Sequence, residues 1–406
     1  MDFLTRDSKY IWHPFTGSPP VGPRELIVKG EREWLIDSNG RRYFDATSSW
    51  WCQIHGHSHP ELVRALSRQA ETLDHALFAP HSHAPAILLA ELLLKELGEP
   101  FKKVFYSDNG STAVETAMKM CWQFWRNKKV FGRIRFAAFE GAYHGDTLGA
   151  VSLGGVDKFH GHFKDFGAAT VSVPVPSDRD SLETGKEMLR AHADTLCAFF
   201  VEPLIQGARG MKFHTAPLLN ELVSFAKKSG VLVVFDEVFT AFGRTGSFFA
   251  FQQIEERPDI ICLAKGLTSG MLPLSATVVR DEIFESFASD TFFHGHTFSG
   301  NPLGCAVGLR SLELFRDERV LEKNKELESI LKEACESIEG SRHLGMVFAF
   351  EVAGRSGWDI CERVWEKGIW MRPLGNTLYV IPPYCTSPST LKSVLNILAE
   401  EVKRAL

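Results

Sequence analysis

Short segments of almost uniformly apolar residues alternate with helical segments through the middle of the chain, and this alternation restricts the fold most strongly. The clearest apolar segments are Arg135–Phe139, Ala198–Glu202, Val231–Asp236 and Ile260–Ala264. A strand that is apolar on both faces must be covered on both faces, which is typical of parallel sheets flanked by helices. The sequence therefore predicts an α/β fold with a mainly parallel central sheet sandwiched by helices.

Apolar residues that recur with helical spacing predict the helices around this sheet. These helices are Glu61–Thr72, Ala84–Leu97, Thr112–Asn127, Leu218–Ser229, Leu321–Glu339, Trp358–Lys367 and a last helix from Pro388 to the end. Further predicted strands are Arg24–Val28, Glu33–Asp37, Arg41–Asp45, Val104–Ser107 and Met346–Glu351, with a hairpin turning at Gly375-Asn376.

The pattern changes near residue 310, where mixed helices and strands replace the regular alternation. We predict a large domain over residues 51–310 and a smaller α+β domain over residues 311–406. The N-terminal segment, residues 1–50, is expected to contribute a hairpin to the small domain.

Composition favours a soluble enzyme over a nucleic-acid or membrane protein. The formal net charge is −5, and no apolar run approaches the roughly 20 residues that span a bilayer. The first residues are acidic where a signal peptide would be basic. The eight cysteines are widely spaced without a C-x-x-C pair, which favours free thiols in the cytoplasm.

Three predicted strand ends carry polar residues, and ligands in open α/β sheets bind at this edge. The first is the segment from Ser107 to Thr112, in which Gly110 and Ser111 open a helix. Glycine allows an anion to approach the backbone, and the free N–H groups of the first helical turn point towards it. The alternative is an ordinary helix cap at Asn109 or Ser111.

The second strand end is Asp236, which follows a buried apolar strand. A carboxylate there needs a cation, and a protonated pyridine nitrogen at about 3–4 Å would attract it by roughly 4–5 kcal/mol at an effective dielectric constant of about 20. A metal ion or an internal salt bridge would satisfy the carboxylate equally well.

The third strand end is Lys265, which stands between an apolar strand and a glycine-containing loop. Partial burial would lower the pKa of its amine and favour a nucleophile, whereas an exposed loop lysine is the plain alternative. Taken together, the three ends predict a site for pyridoxal phosphate: phosphate at Gly110-Ser111, ring nitrogen at Asp236 and aldehyde carbon on Lys265.

The segments around these residues resemble the class III aminotransferases, which belong to fold type I of the pyridoxal-phosphate enzymes. The matching segments are Phe235-Asp236-Glu237-Val238, Gly243-Arg244-Thr245-Gly246, Pro258-Asp259-Ile260 and Ala264-Lys265-Gly266. The resemblance implies a homodimer with shared active sites and a cofactor bound mainly by the large domain.

Other segments resemble the branch of this family that works in biotin synthesis. They are Ile11-Trp12-His13-Pro14-Phe15-Thr16, Ser48-Ser49-Trp50-Trp51, His83-Ala84-Pro85-Ala86-Ile87, Tyr143-His144-Gly145-Asp146-Thr147, Val201-Glu202-Pro203 with Gln206-Gly207, and Trp370-Met371-Arg372-Pro373-Leu374-Gly375. That branch transfers an amino group to 7-keto-8-aminopelargonate, usually from S-adenosylmethionine, in a ping-pong reaction.

The resemblance assigns roles to individual residues. Tyr143 would stack on the cofactor ring, Thr297 would reach the phosphate in the neighbouring subunit, and Arg244 would meet the donor's carboxylate. Residues also assigned to cofactor binding are Glu202, Val238 and His296, and Gly295 is assigned to the substrate. Phe15, Trp50 and Trp51 would line a slot for an alkyl chain, with Arg372 holding its carboxylate; core packing and a surface salt bridge are the alternatives.

Two residues depart from the commonest pattern of that branch. Phe15 replaces a tyrosine, and His296 replaces a proline as in variants that take lysine as donor. Because the Ser48-Ser49-Trp50-Trp51 and Trp12-His13-Pro14 segments still match that branch, we expect S-adenosylmethionine as the donor, with lysine as the alternative.

Other functions remain open from the sequence alone. The first is another class III enzyme, one that acts on ω-amino acids. A metal-binding protein is suggested by histidines in His55-Gly56-His57-Ser58-His59, His81-Ser82-His83 and His294-Gly295-His296, although no cysteine or acidic partner recurs at zinc-site spacing. A non-catalytic scaffold with the same fold is a further alternative, which the pair of Asp236 and Lys265 argues against.

Overall fold

The computed structural model describes residues 2–18, 25–163, 167–352 and 357–405. Its helices are α1 (Phe3–Tyr10), α2 (Ser48–Trp51), α3 (Pro60–Thr72), α4 (Ala84–Leu97), α5 (Gly110–Asn127), α6 (Leu148–Leu153), α7 (Asp157–His160), α8 (Arg179–His192), α9 (Ala216–Lys228), α10 (Asp281–Glu285), α11 (Pro302–Asp317), α12 (Val320–Ala334), α13 (Gly357–Trp365) and α14 (Pro388–Ala405).

The strands form one large sheet and three small ones. They are β1 (Ile27–Glu31), β2 (Trp34–Asp37), β3 (Arg42–Asp45), β4 (Phe101–Ser107), β5 (Arg135–Phe139), β6 (Thr170–Val173), β7 (Leu196–Val201), β8 (Ile205–Gln206), β9 (Lys212–Phe213), β10 (Leu232–Asp236), β11 (Ile260–Leu263), β12 (Ser275–Arg280), β13 (Arg342–Leu344), β14 (Val347–Glu351), β15 (Ile369–Trp370) and β16 (Thr377–Val380).

The large sheet has the strand order β4-β12-β11-β10-β7-β5-β6. The β11–β10, β10–β7, β7–β5 and β5–β6 pairs are parallel, and β12 runs antiparallel to both of its neighbours. The inner strands β7, β10 and β11 are buried along their whole length, as strands covered on both faces must be. The predicted α/β fold with a mainly parallel sheet is confirmed.

Because β12 is reversed, the carboxyl ends of β4, β11, β10, β7 and β5 meet at one edge of the sheet. The polar segments that follow those strands therefore lie side by side, although they are far apart in sequence. This edge carries the candidate site.

A second sheet joins the two ends of the chain. The hairpin β1-β2-β3 is extended by β15, which lies parallel to β3 with Trp370 opposite Asp45. The third sheet, β13-β14-β16, packs against the helices of the C-terminal part. The domain boundaries near residues 50 and 310 stay a prediction.

Several sequence predictions need correction. The helix predicted over Leu321–Glu339 ends at Ala334, and turns follow it. The predicted hairpin at Gly375-Asn376 is present but short: one antiparallel pair, Leu374 and Thr377, closes the turn, and the strands on either side of it, β15 and β16, belong to different sheets. The first strand begins at Ile27 rather than at Arg24, which lies outside the described residues.

In the described ranges, no helix combines the length and the apolar character needed to cross a membrane.

Candidate active site

A cavity of about 750 Å³ opens at the carboxyl edge of the large sheet. The sequence-predicted residues that line it are Phe15, Trp50, Trp51, Gly110, Ser111, Tyr143, Glu202, Asp236, Val238, Lys265 and Arg372. They come from eight separate stretches of the chain, so the fold assembles them. A concave, largely apolar site with a few convergent polar groups is typical of small-molecule binding.

At the end of β4 the backbone turns directly into α5. Asn109 caps the helix, because its side chain accepts from the N–H of Thr112. A Cβ on Gly110 would lie 2.6 Å from a methyl group of Val238, so only glycine fits there. Ser111 Oγ bonds Thr147 Oγ1 at 2.8 Å and accepts from its N–H at 3.0 Å. The first N–H groups of α5 thus face the cavity beside a fixed hydroxyl pair, an arrangement suited to a phosphate.

Asp236 is buried, and both of its carboxylate oxygens are occupied. Oδ1 accepts from the N–H of Val238 at 3.0 Å, and Oδ2 accepts from His144 Nδ1 at 2.7 Å. Burial by itself would lower the pKa of His144, but the hydrogen bond and the charge of Asp236, together with Glu202, raise it above its ordinary value. These hydrogen bonds fix the Asp236 carboxylate at the wall of the cavity.

Lys265 follows β11 and begins a short 3-10 helix with a left-handed backbone (φ +41°). Its Nζ lies 4.5 Å from the ring centroid of Trp51 and 5.8 Å from that of Phe239. Burial lowers the pKa of Lys265, and the carboxylates of Asp236 and Glu202 oppose that shift only in part. A larger fraction of neutral amine makes this lysine a better nucleophile and base.

Glu202 directly follows β7 and lies near both Asp236 and Lys265. Its Oε2 accepts from the N–H of Tyr143 at 3.2 Å, and burial raises the pKa of the carboxyl to about 7. The Tyr143 hydroxyl donates to Asp146 at 2.8 Å, and its ring stacks on His160 with the two planes 13° apart. The tyrosine ring is therefore fixed in orientation at the wall of the cavity.

Aromatic rings and one cation form the opposite wall. Phe15 packs against Trp50 and Phe159, with ring centroids 5.4 and 5.7 Å apart. The guanidinium of Arg372 lies 4.9 Å above the ring of Trp50. Within the described ranges no carboxylate forms an ion pair with Arg372, so its charge is available to a ligand.

Four predicted site residues do not line the cavity. Arg244 is 1% exposed and donates to the backbone carbonyls of Trp51, Gln53 and Pro382. Gly295, His296 and Thr297 stand on a loop, where His296 Nδ1 bonds Asp108 Oδ2 at 2.9 Å. Since Asp108 lines the cavity, this loop lies at its border.

The histidine-rich loops make structural hydrogen bonds. His55 bonds the carbonyl of Ser311, His57 bonds Asp45, and His83 bonds the carbonyl of Gly300 while capping α4. Among the residues that the structure describes, no three histidine, cysteine or acidic side chains are grouped to hold a metal ion.

Sequence reasoning gave no role to the residues that hold the site in place. His144 was noted only as part of a motif, yet it bonds Asp236 directly. Asp146 and His160 fix Tyr143, and Asp45 fixes the turn that carries both tryptophans. A signal was present for His144 and Asp146, because both belong to the matching segment that begins at Tyr143.

The residues present fit pyridoxal phosphate. The close approach of α5 to Val238 requires a glycine, the edge of the sheet offers helix N–H groups to an anion, and a buried carboxylate and an amine of lowered pKa stand in the same cavity. This donor set matches a phosphate, a protonated ring nitrogen and an aldehyde.

The family model described as Aminotransferase class-III matches residues 20–402 of the chain. The chain thus belongs to the class III aminotransferases and is a pyridoxal-phosphate-dependent transaminase, which confirms the resemblance seen in the motifs. The non-catalytic and metal-binding alternatives are thereby set aside.

Named relatives and solved structures show which members of the family the chain is similar to. The adenosylmethionine-8-amino-7-oxononanoate aminotransferase of Geobacter sulfurreducens is 37% identical, over 98% of this chain and 96% of the relative. The crystal structure of the protein with the same name from Methanocaldococcus jannaschii has a TM-score of 0.94 at 33% identity, covering 99% of this chain and 98% of that one. The omega transaminase from Pseudomonas jessenii, solved in complex with PMP, has a TM-score of 0.91 at 27% identity, covering 100% and 97%.

Proposed function

We propose that this enzyme transfers an amino group from S-adenosylmethionine to 7-keto-8-aminopelargonate and so makes 7,8-diaminopelargonate for biotin synthesis. One observation carries the proposal: Arg372, which has no ion-pair partner among the described residues, stands over the Trp50 ring in a cavity with aromatic walls. A long alkyl chain that ends in a carboxylate needs such an apolar slot and one cation. Relatives named for the same reaction support it.

Pyridoxal phosphate, when bound, supplies an aldehyde that accepts the amino group and a ring that withdraws electrons from the carbon being deprotonated. In our proposal Gly110 and Ser111 hold its phosphate, and Asp236 holds the proton on its ring nitrogen. Tyr143 stacks on the ring, while Glu202, Val238 and His296 complete the cofactor site.

Lys265 Nζ is proposed to bond the aldehyde carbon in the resting enzyme. As a free amine, Lys265 would act as the base that removes the α-proton of the donor and as the acid that gives the proton back. The lowered pKa of Lys265 suits both steps, because only the neutral amine attacks or accepts a proton. The same lysine would serve the keto acid in the second half of the ping-pong reaction.

The substrate side of the cavity is proposed to use the remaining residues. Phe15, Trp50 and Trp51 contact the alkyl chain, and Arg372 binds the carboxylate bidentately. For Arg244 and Gly295 we propose contact with the donor, although Arg244 now bonds three backbone carbonyls. A donor carboxylate would have to displace one of those carbonyls.

We also propose a homodimer with shared sites, in which Thr297 reaches the phosphate in the partner subunit. Exposed apolar side chains near that loop support this assembly: Leu77, Ile87, Leu88, Phe293 and Phe298. They are neighbours, because Phe298 packs on His75 and the Gly300 carbonyl accepts from His83 at the start of α4. Large exposed apolar patches mark protein interfaces. A cytoplasmic location is consistent with eight free cysteines.

The test is direct. The purified enzyme is incubated with 7-keto-8-aminopelargonate and either S-adenosylmethionine or lysine, and the diamine is measured by mass spectrometry. Product with S-adenosylmethionine is expected. Product with lysine alone would replace the donor, and no product with either, together with turnover of ornithine or γ-aminobutyrate, would overturn the proposal.

A further inference from the structure

Asp45, the last residue of β3, is a fully buried carboxylate outside the lining of the cavity. The N–H of Ser49 donates to Oδ1 at 2.8 Å and to Oδ2 at 2.7 Å, and Ser49 Oγ donates to Oδ2 at 3.0 Å. His57 Nε2 also donates to Oδ2, at 2.9 Å. A buried carboxylate is tolerated only with donors of this kind, so Asp45 holds Ser49 and His57 in fixed positions.

The segment that Asp45 holds is α2 (Ser48–Trp51), which is a strained turn rather than a regular helix. Ser48, Ser49 and Trp51 have positive φ angles of 49°, 58° and 65°, in the left-handed region that non-glycine residues seldom adopt. Each such residue costs roughly 1–3 kcal/mol and persists only where the surroundings fix it. Two hydrogen bonds hold the turn in this conformation. The N–H of Ser49 donates to Asp45, and Ser48 Oγ donates to the carbonyl of Ile381 at 2.7 Å.

The strained turn carries two side chains that line the cavity. Trp50 points to Phe15 and lies under the guanidinium of Arg372, and Trp51 lies against the amine of Lys265. Relaxation of the turn would therefore move the Trp50 and Trp51 rings and change the surroundings of Arg372 and Lys265.

Asp45 is also tied to the strand that leads to Arg372. It lies opposite Trp370 in the β3–β15 pair, and the N–H of Ala46 donates to the carbonyl of Trp370 at 3.0 Å. His57, on the other side, is bridged to Arg32 by two backbone hydrogen bonds of 3.1 and 2.7 Å. Asp45 thus connects the Ser48–Trp51 turn to the β3–β15 pair on one side and to the bridge between His57 and Arg32 on the other.

We propose that Asp45, supported by His57, is a positioning residue for substrate binding. It holds the Ser48–Trp51 turn so that Trp50 stands beside Arg372 before the substrate arrives. The substrate's identity rests on the function proposed above, but the positioning of Trp50 does not.

The main variant is Asp45→Asn, which keeps the size of the side chain and turns one acceptor into a donor facing Ser49 or His57. We expect the KM for the keto acid to rise about tenfold and kcat to change less than about twofold, because a binding wall moves while Lys265 and Asp236 stay in place. Asp37→Asn is the matched control. Asp37 is 4% exposed in the same sheet and accepts from the N–H groups of Asn39 and Arg41, both at 2.9 Å, but the turn that it holds carries no residue that lines the cavity.

Two readouts separate positioning from general destabilisation. Acrylamide quenching of tryptophan fluorescence, measured on the holoenzyme without substrate, is expected to increase in Asp45→Asn and not in Asp37→Asn. The increase should disappear in a Trp50→Phe background. For KM, the effect of Asp45→Asn should shrink to less than about twofold in a Trp50→Ala background, because residues that act through each other are not additive.

Equal effects of Asp45→Asn and Asp37→Asn on KM and quenching would overturn the inference, as would an Asp45→Asn effect that persists without Trp50. If Asp45→Asn does not fold, His57→Gln gives the test with the carboxylate intact, and an unchanged quenching in that variant counts against the inference. If the wild-type enzyme does not convert the keto acid, only the proposed function is refuted, because the quenching experiment uses no substrate.

Discussion

The amine of Lys265 illustrates how the site depends on single residues. Its Nζ lies 4.5 Å from the Trp51 ring, and burial lowers its pKa. Lys265→Ala should still bind the cofactor through Ser111 and Asp236 but lose turnover by about 10³-fold or more, since both the nucleophile and the base are gone. Borohydride reduction followed by mass spectrometry of the intact protein checks the covalent link: wild type should gain the mass of the reduced cofactor, and Lys265→Ala should not. Near-normal turnover in the variant would contradict the assigned role.

Arg372 makes a different kind of contribution, because it is proposed to bind substrate without taking part in proton transfer. Arg372→Ala should raise the KM for the keto acid by about 10²-fold, the loss expected for a charge-assisted bidentate hydrogen bond, with a smaller change in kcat. Steady-state kinetics measure both. Arg316→Ala is the control, since that side chain is 74% exposed and pairs only with its neighbour Asp317 among the described residues. An unchanged KM in Arg372→Ala would refute the carboxylate contact.

At the scale of elements, the junction of β4 and α5 combines packing with binding. A Cβ on Gly110 would lie 2.6 Å from Val238, so Gly110→Ala must push the helix start away from β10. We expect a loss of about 1–3 kcal/mol in stability and a weaker affinity for the cofactor, because the N–H groups that face the phosphate move with the helix. Equilibrium dialysis of the cofactor and thermal unfolding measure the two effects.

Gly132→Ala provides the comparison for that experiment. A Cβ at Gly132 would meet only a carbonyl oxygen at 3.9 Å, and its φ is not in the left-handed region. It should leave cofactor affinity unchanged. An equal loss of affinity in both variants would mean that the α5 start is not part of the phosphate site.

Elements with a clear local pattern were predicted well from the sequence. The strand at Arg135–Phe139 and the helix at Ala84–Leu97 have the predicted ends, because apolar runs and proline or glycine boundaries are local signals. β12 was not predicted, since nothing in the segment Ser275–Arg280 shows that it inserts antiparallel between β11 and β4. The turn at Gly375-Asn376 was predicted because it is local, but its hairpin is only one residue pair long, since the strands on either side find their partners in two different sheets.

The residues of the site also divide into those that local sequence patterns predict and those that only the folded chain brings together. Asp236 and Lys265 were recognisable because each ends an apolar strand, and parallel strands end at one edge. The contact of Asp236 with His144, 92 residues away, depends on how the chain folds back. The burial of Arg244 behind Trp51 was likewise invisible, since arginines are usually exposed.

For the whole molecule, buried carboxyls link stability to pH. Burial raises the pKa of Glu202 from 4.5 to about 7, so the folded protein holds a proton that the unfolded chain releases. Its contribution to stability is complete below about pH 4.5 and is lost as the pH rises through about 7. Glu202→Gln stays neutral, so its unfolding free energy should fall less than that of the wild type between pH 5 and 7.5, by at most about 3 kcal/mol.

Thermal or urea unfolding of the holoenzyme at several pH values measures that difference. Glu187→Gln, at an exposed position of α8, should follow the wild-type curve. Parallel curves for wild type and Glu202→Gln would show that the buried carboxyl is already ionised at pH 5.

The proposed dimer would explain why large apolar side chains are exposed on one face of the molecule. Phe293 is 84% exposed and Leu88 47%, beside the loop that carries Gly295 and Thr297, and apolar groups this exposed favour burial in an interface. Leu88→Asp combined with Phe293→Asp should convert the proposed dimer to monomer, because each charge would be desolvated in the interface. Sedimentation measures the mass, and turnover should fall with it, since Thr297 then reaches no partner site. Phe131→Asp, at a position 62% exposed near the end of α5, should leave both unchanged. A double variant that remains dimeric would place the interface on another face, and a fully active monomer would rule out shared sites.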